Sequence, residues 1–288
     1  MTMAIAALLG VVQGIFMFLP VSSTAHLVLT QHWLIEQGHD LPPPESPEMI
    51  LFDLVVHVGT LVSIIVVFWS SLFRFSRNAA AGALQLAAGR AGHRGLPLYL
   101  RLFLLGMLSV LVTGILGLSL KTTFEIVFAT PAMVAITLTL TGILLWWTDR
   151  LGPRRRGLKK INARVATIIG VAQGFALVPG LSRSAMTIVF ALFTGLKRRW
   201  AAEYSFFLAI PTIVAATLLQ SREVLELGGL NGIGLDDLFV GFVVSALVGI
   251  VSLKMVVYFL YRAQLKVFSF YVWALAAAVL LGWIDMPV

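Results

Sequence analysis

Six apolar runs, each long enough to cross a bilayer, dominate this chain: roughly 50 to 74, 98 to 120, 127 to 148, 200 to 219, 238 to 261 and 266 to 284. About 20 apolar residues in a helix span about 30 Å of hydrocarbon, and in that slab every backbone polar group must be paired within the chain. The expectation is therefore an all-α polytopic membrane protein, a single membrane domain over residues 1–288. Composition agrees. Hydrophobic residues fill 59% of the positions and charged ones 12%, against about half and about a quarter in an ordinary soluble domain.

A net charge of +8 would raise nucleic acid as a partner if the chain were soluble. The distribution of the charge argues otherwise. Seventeen of the 21 Lys and Arg residues fall in four clusters between apolar runs: Arg74 to Arg101, Arg150 to Arg164, Lys197 to Arg199, and Arg262 with Lys266. Basic loops mark the cytoplasmic side. The acidic stretches Glu36 to Glu48 and Glu223 to Asp237 then lie opposite, and both termini are expected outside. The first basic residue is Arg74, so the N-terminal apolar run lacks the charged start of a signal peptide. The absence of cysteine removes disulfides, thiolate catalysis and zinc–thiolate sites.

Two further apolar regions, 3 to 35 and 165 to 195, are broken by Pro20 and by Pro179-Gly180. Each half, about 15 residues or about 22 Å of helix, is too short to span. Each region reads as a re-entrant hairpin, the first opening outside and the second inside. Leu9-Gly10-Val11-Val12-Gln13-Gly14 matches Ile169-Gly170-Val171-Ala172-Gln173-Gly174, and Ser22 matches Ser182. The chain thus reads as a duplication, 1–149 and 163–288, joined by a basic linker. A hairpin plus three crossings is an odd count, so the second copy is expected inverted. The paired glycines read as close helix packing.

Polar tips at membrane depth survive only where protein buries them or a wet cavity meets them. The tips are Pro20-Val21-Ser22-Ser23-Thr24-Ala25-His26 and Pro179-Gly180-Leu181-Ser182-Arg183-Ser184-Ala185-Met186-Thr187. Serines after a proline read as N-caps, and two helix N-termini pointing inward make an anion site. Arg183 adds a guanidinium suited to phosphate, unless a buried acid pairs with it, and neither hairpin contains Asp or Glu. Ser22 or Ser23 with His26 share a helix face. They read either as nucleophile and base or as a cap with a hydrogen-bonded imidazole. Asp53, with His57 four residues on, and Glu203 are acids that either face the cavity or stabilise helix N-termini.

At these motifs the chain resembles the undecaprenyl-diphosphate phosphatase family, the bacterial bacitracin-resistance proteins. The resemblance runs over essentially the whole length. It rests on Gly14, Phe18 through His26, Phe52-Asp53 through His57-Val58-Gly59-Thr60, Gln173, Pro179 through Ser184 with Thr187, and Glu203-Tyr204-Ser205-Phe206. It implies removal of the terminal phosphate of a C55 polyprenyl diphosphate at the outer face of the bacterial cytoplasmic membrane, which regenerates a monophosphate carrier for peptidoglycan precursors. It also implies Ser23 as nucleophile, His26 as proton-transfer partner and Arg183 as phosphate clamp. Ser22, Thr24, Ser182, Ser184, Thr187, Gln13 and Gln173 complete the polar pocket, and Mg2+ or Ca2+ is the cofactor.

The family pattern has a glutamate where this chain has Met17, four residues after Gln13. A thioether neither binds a hard cation nor accepts a proton. The acid role then passes to Asp53 or Glu203, or hydrolysis proceeds without metal, or the pocket carries an anionic lipid without hydrolysing it, as a polyprenyl-phosphate translocase would. The expected partners are that lipid, the bilayer and, at most, a second copy in a homodimer. Nucleic acid is not among them.

Overall fold

The structure is a computed structural model that describes residues 1–89, 96–128, 131–178, 180–226 and 233–282, without the side chains of 121–128, 223 and 225. Pro179, residues 90–95 of the first basic cluster and 227–232 of the second acidic stretch lie outside the described residues. What is described is helical: α1 (Met3–Phe16), α2 (Ser23–Glu36), α3 (Pro47–Val67), α4 (Trp69–Ala87), α5 (Leu98–Phe128), α6 (Pro131–Asp149), α7 (Ala163–Phe175), α8 (Arg183–Phe193), α9 (Arg198–Glu226), α10 (Leu235–Tyr261) and α11 (Lys266–Leu280). Among the described residues α3, α5, α6, α9 and α10 are long and apolar enough to cross a membrane. Their outer faces carry exposed Leu111, Ile115 and Leu118 on α5, Leu218 and Leu219 on α9, and Val251 on α10. Such faces need lipid rather than water around them, and the chain is a multi-pass membrane protein.

Local chemistry starts and stops these helices. Ser46 caps α3 by accepting from Met49 N–H at 3.2 Å, with Pro47 in the first turn where a missing N–H costs nothing. Asn162 caps α7 at 3.0 Å, and Asp236 and Asp237 sit at the positive end of α10. The two broken regions behave as their prolines predict: α1 stops at Phe16 before α2 starts at Ser23, and α7 stops at Phe175 before α8 starts at Arg183. At 14, 14, 13 and 11 residues these four helices reach about 17–21 Å each, short of a span.

Two expected crossings need correction. The run 50 to 74 is not one helix. It breaks at Phe68 (φ −104°, ψ 19°), and a second helix, α4, continues to Ala87. The run 266 to 284 is described as far as Gly282, and there it is helical over the 15 residues of α11, about 22 Å, followed by a turn at Leu281–Gly282, where Gly282 takes φ +68°.

Packing is set by small residues. α1 lies along α10, and α7 lies along α5. A Cβ on Gly10 would meet the Gly241 carbonyl oxygen at 2.9 Å, and one on Gly170 would meet the Ser109 carbonyl oxygen at 2.6 Å. The paired glycines are therefore seats for a neighbouring backbone. Hydroxyls stitch these two seams and the one between α3 and α10. Ser252 Oγ donates to the Ile15 carbonyl at 2.7 Å, Ser63 Oγ to Ala246 at 2.7 Å, and Ser109 Oγ to Ala166 at 2.8 Å. Bonds of this kind contribute about 0.6–2 kcal/mol apiece in a bilayer. α3 packs on α9 and α6 on α11, which brings the α1–α2 and α7–α8 turns to one place.

Candidate functional site

The two tips touch. Ser184 Oγ, in the first turn of α8, donates to the Phe18 carbonyl in the α1–α2 turn at 3.3 Å. Phe18 is fully buried, its ring edge-on to Phe206 of α9 at 6.0 Å, so the first tip is held by its own aromatic anchor. The second tip is held by backbone. Gly180 has φ +81°, and Thr141 Oγ1 on α6 donates to its carbonyl at 2.8 Å. A Cβ there would sit 2.8 Å from the Val134 carbonyl oxygen and 3.0 Å from the Leu138 amide nitrogen, so only glycine fits.

Ser182 caps α8 as its sequence position predicts, accepting from Ala185 N–H at 3.4 Å and meeting Ser184 Oγ at 3.2 Å. Ser22 holds the same position before α2 but does not cap it. It adopts a left-handed backbone (φ 68°, ψ 89°) and makes no side-chain bond to the first turn. That conformation costs a non-glycine residue about 1–2 kcal/mol, and strain of this kind gathers at functional sites.

The expected hydroxyl–imidazole pair is not formed. His26 Nδ1 lies 2.7 Å from the Ser22 carbonyl and its Nε2 lies 2.7 Å from the Tyr271 hydroxyl, so both ring nitrogens are engaged. Phe16 stacks on the imidazole, centroids 3.9 Å apart and planes 16° apart. Ser23 Oγ turns instead toward the Met17 sulfur at 3.9 Å, and Gln13 Nε2 approaches the same sulfur at 3.5 Å. Met17 is 6% exposed and occupies the centre of the first tip. Among the described residues Gln13 Oε1 is buried without a partner, and so is its counterpart on Gln173, whose amide nitrogen bonds Thr113 and Thr212 at 3.0 Å each.

Arg183, partly buried at the start of α8, has no carboxylate within ion-pairing distance among the described residues. Its electrostatic neighbour is His57 of α3. Asp53, one turn earlier on that face, accepts from Gln31 of α2 at 2.9 Å, and its carbonyl holds His57 Nδ1 at 2.7 Å. Thr187 is bonded to the Arg183 carbonyl at 2.9 Å and, through a very short contact, to Ser205 of α9. Thr24 lies in the first turn of α2 beside Ser23.

Glu203 is not part of this cluster. It pairs with Arg199 at 2.9 Å and lines a cavity of about 660 Å³ between α4, α5 and α9, together with Arg74, Phe75 and Tyr99. Two residues along a helix is a turn of about 200°, so if Ser205 faces α8, Glu203 faces away from it. Sequence reasoning also missed Tyr271, Phe16 and Gln31. Only Ser205 carried a signal, inside the Glu203–Phe206 motif.

A hard divalent cation does not suit the first tip. Such ions need several oxygen ligands, usually with a carboxylate, whereas the atom that faces Ser23 and Gln13 here is a sulfur. Among the described residues no three His, Asp or Glu side chains cluster as a metal site would need.

Comparison with known proteins matches residues 6–278 to the family described as bacitracin resistance protein BacA. The chain belongs to the BacA family. An undecaprenyl-diphosphatase from Alkalilimnicola ehrlichii is 75% identical over 286 residues, covering 99% of this chain and 98% of that protein. One from Halorhodospira halophila is 72% identical over the full length of both. A more distant one from Alkaliphilus metalliredigens is 36% identical over 281 residues, 98% of each chain. As a BacA family member, the protein carries the motifs of both tips on the helix starts where they meet.

Proposed function

We propose that this BacA family protein is an undecaprenyl-diphosphate phosphatase, hydrolysing a C55 polyprenyl diphosphate to the monophosphate carrier used for cell-wall precursors. The observation that carries the reading is Arg183. A guanidinium without a carboxylate partner among the described residues is costly at membrane depth, and it stands where two helix starts meet. A terminal phosphate supplies the missing negative charge in bidentate form, with the hydroxyls of Ser182 and Ser184 and the free N–H groups of α2 and α8 around it. The full-length relatives named undecaprenyl-diphosphatase support the same chemistry. A translocase reading draws no support from them.

In this mechanism Ser23 Oγ attacks the terminal phosphorus. Its present partner is a thioether, a weak acceptor, so the oxygen lone pairs stay uncommitted. The anhydride P–O bond breaks, and the polyprenyl monophosphate leaves. For this, Ser23 turns from Met17 toward the imidazole, and the Tyr271 hydroxyl swings off Nε2, which takes the serine proton; water then releases phosphate from the serine. Ser22, Thr24 and Thr187 complete the polar wall, and Gln13 and Gln173 sit behind the tips. Asp53, tied to Gln31 and next to His57, is the acid nearest the site in this reading. No step runs through Mg2+ or Ca2+.

The setting proposed with it is the bacterial cytoplasmic membrane, with both termini and the mouth of the first hairpin outside. Residues 1–149 and 163–288 form two inverted halves. The matching seats of α1 on α10 and α7 on α5, through Gly10 and Gly170, support that division.

The test is inorganic phosphate release from C55 polyprenyl diphosphate by the purified protein, measured with EDTA, Mg2+ or Ca2+. Turnover should be lost in Ser23→Ala and His26→Ala. It should fall at least about a hundredfold in Arg183→Ala, since two charge-assisted hydrogen bonds go with the guanidinium. A folded Arg183→Ala variant with full activity would remove phosphate clamping from the mechanism.

A further inference from the structure

His26 is held by an unusual fork. A carbonyl oxygen only accepts, so the 2.7 Å contact with Ser22 fixes the imidazole proton on Nδ1. In the neutral ring Nε2 is then a bare acceptor, and the Tyr271 hydroxyl at 2.7 Å donates to it. Phe16 lies flat on one face of the ring. Tyr271 itself is placed from elsewhere. It belongs to α11, which is pinned to α6 by Trp273 Nε1 donating to the Thr139 carbonyl at 3.1 Å and by Trp146 packed against Phe270 and Trp273. Those contacts are with α6, the helix that also holds Gly180, so the phenol and the second tip share one support.

We propose that Tyr271 is the positioning residue of His26: with the Ser22 carbonyl on the opposite nitrogen, its hydroxyl keeps the imidazole in one tautomer and one orientation before substrate arrives, with Nε2 unprotonated and free to take a proton once the hydroxyl swings off it. The proposal rests on the phosphatase reading for its kinetic consequence only. The fork accounts for two features that phosphate binding leaves unexplained. Ser22 keeps a left-handed backbone because that conformation aims its carbonyl at Nδ1 rather than letting its hydroxyl cap α2. And the 42% exposed Tyr271, on a helix packed on α6 and against Phe259 of α10, turns its hydroxyl to His26. Without the phenol, the ring could flip or pass its proton to Nε2, which would then be a donor and no longer able to take a proton.

The experiment compares Tyr271→Phe and Tyr271→Leu with the unmodified full-length protein, reading phosphate release from C55 polyprenyl diphosphate and the ring-nitrogen NMR signals of His26. Tyr271→Phe keeps the aromatic contact and removes only the hydroxyl. It is expected to lower kcat about 5- to 150-fold, the equivalent of one lost buried hydrogen bond, with KM unchanged, and Tyr271→Leu is expected to be no slower than Tyr271→Phe. The His26 spectrum should change from a single Nδ1–H tautomer to a mixture in both variants. If Tyr271→Phe turns over like the unmodified protein and only Tyr271→Leu is impaired, Tyr271 is packing and the proposal is overturned. A Tyr271→Phe spectrum that keeps a single tautomer overturns it as well. Should the unmodified protein release no phosphate, the phosphatase reading fails, and the spectra still decide the fork.

Discussion

Replacing Gly180 with alanine tests whether the second tip is pinned by backbone contact with α6. Two separable costs follow from the geometry. The first is conformational: at φ +81° a Cβ crowds its own carbonyl, at about 1–2 kcal/mol. The second is overlap. The added carbon would stand 2.8 Å from the Val134 carbonyl oxygen and 3.0 Å from the Leu138 amide nitrogen, both in the backbone of α6, which cannot rotate aside as a side chain would. Overpacking of that kind costs about 1–3 kcal/mol, so the total is about 2–5 kcal/mol. Gly38 provides the control, with a nearly equal φ of +79° and nothing within 4 Å of the point where a methyl carbon would stand, so Gly38→Ala carries the first cost alone. Thermal midpoints in detergent and phosphate release are the assays. Gly180→Ala should lose clearly more stability than Gly38→Ala. It should also lose turnover, because Arg183 lies three residues beyond the displaced glycine. Equal midpoints with full activity would refute the claim that α6 fixes the tip.

Met17→Glu places a carboxylate against Gln13 and Ser23, and its phosphate release is expected to depend on Mg2+ or Ca2+ and to be lost in EDTA, whereas the unmodified protein's rate is expected not to respond to the chelator. Ser22→Gly removes the strain at φ 68° and should raise stability by about 1–2 kcal/mol in a detergent melt. The same variant loses a hydroxyl from the phosphate wall and lets the Ser22 carbonyl wander from His26, so its turnover should fall even as its midpoint rises.

Features that depend on local chemistry were legible in the sequence. Pro20 announced the gap between α1 and α2, Ser182 announced the start of α8, and the spacing of Gly10 with Gly170 announced two close helix seats. Apolar length alone misjudged two places. Nothing in the run 50 to 74 marks Phe68 as a break, since its neighbours are as apolar as a continuous helix requires, and α11 stops short at Leu280 although hydrophobic residues continue. The site showed the same division. Ser23 and His26 do share a helix face, but periodicity cannot say what each side chain chooses as partner. His26 chose a tyrosine 245 residues away, and Ser23 was left with Met17. Glu203 looked like an available acid until Arg199, one turn earlier, took it up.

The crossed seating of the short helices has a consequence for how the molecule is made. α1 rests on α10 and α7 on α5, so the glycine face of α1 has no backbone to lie against until residues 235–261 have followed it out of the ribosome. Through most of synthesis the first tip, with its serines and its histidine, is an unfinished loop, and Tyr271, the last part of its surroundings, arrives later still. A chain cut off before α10 would carry every motif of the first tip and none of its shape. Such a nascent chain would therefore hold no partly working site, and the reaction would begin only once α10 and α11 have been added.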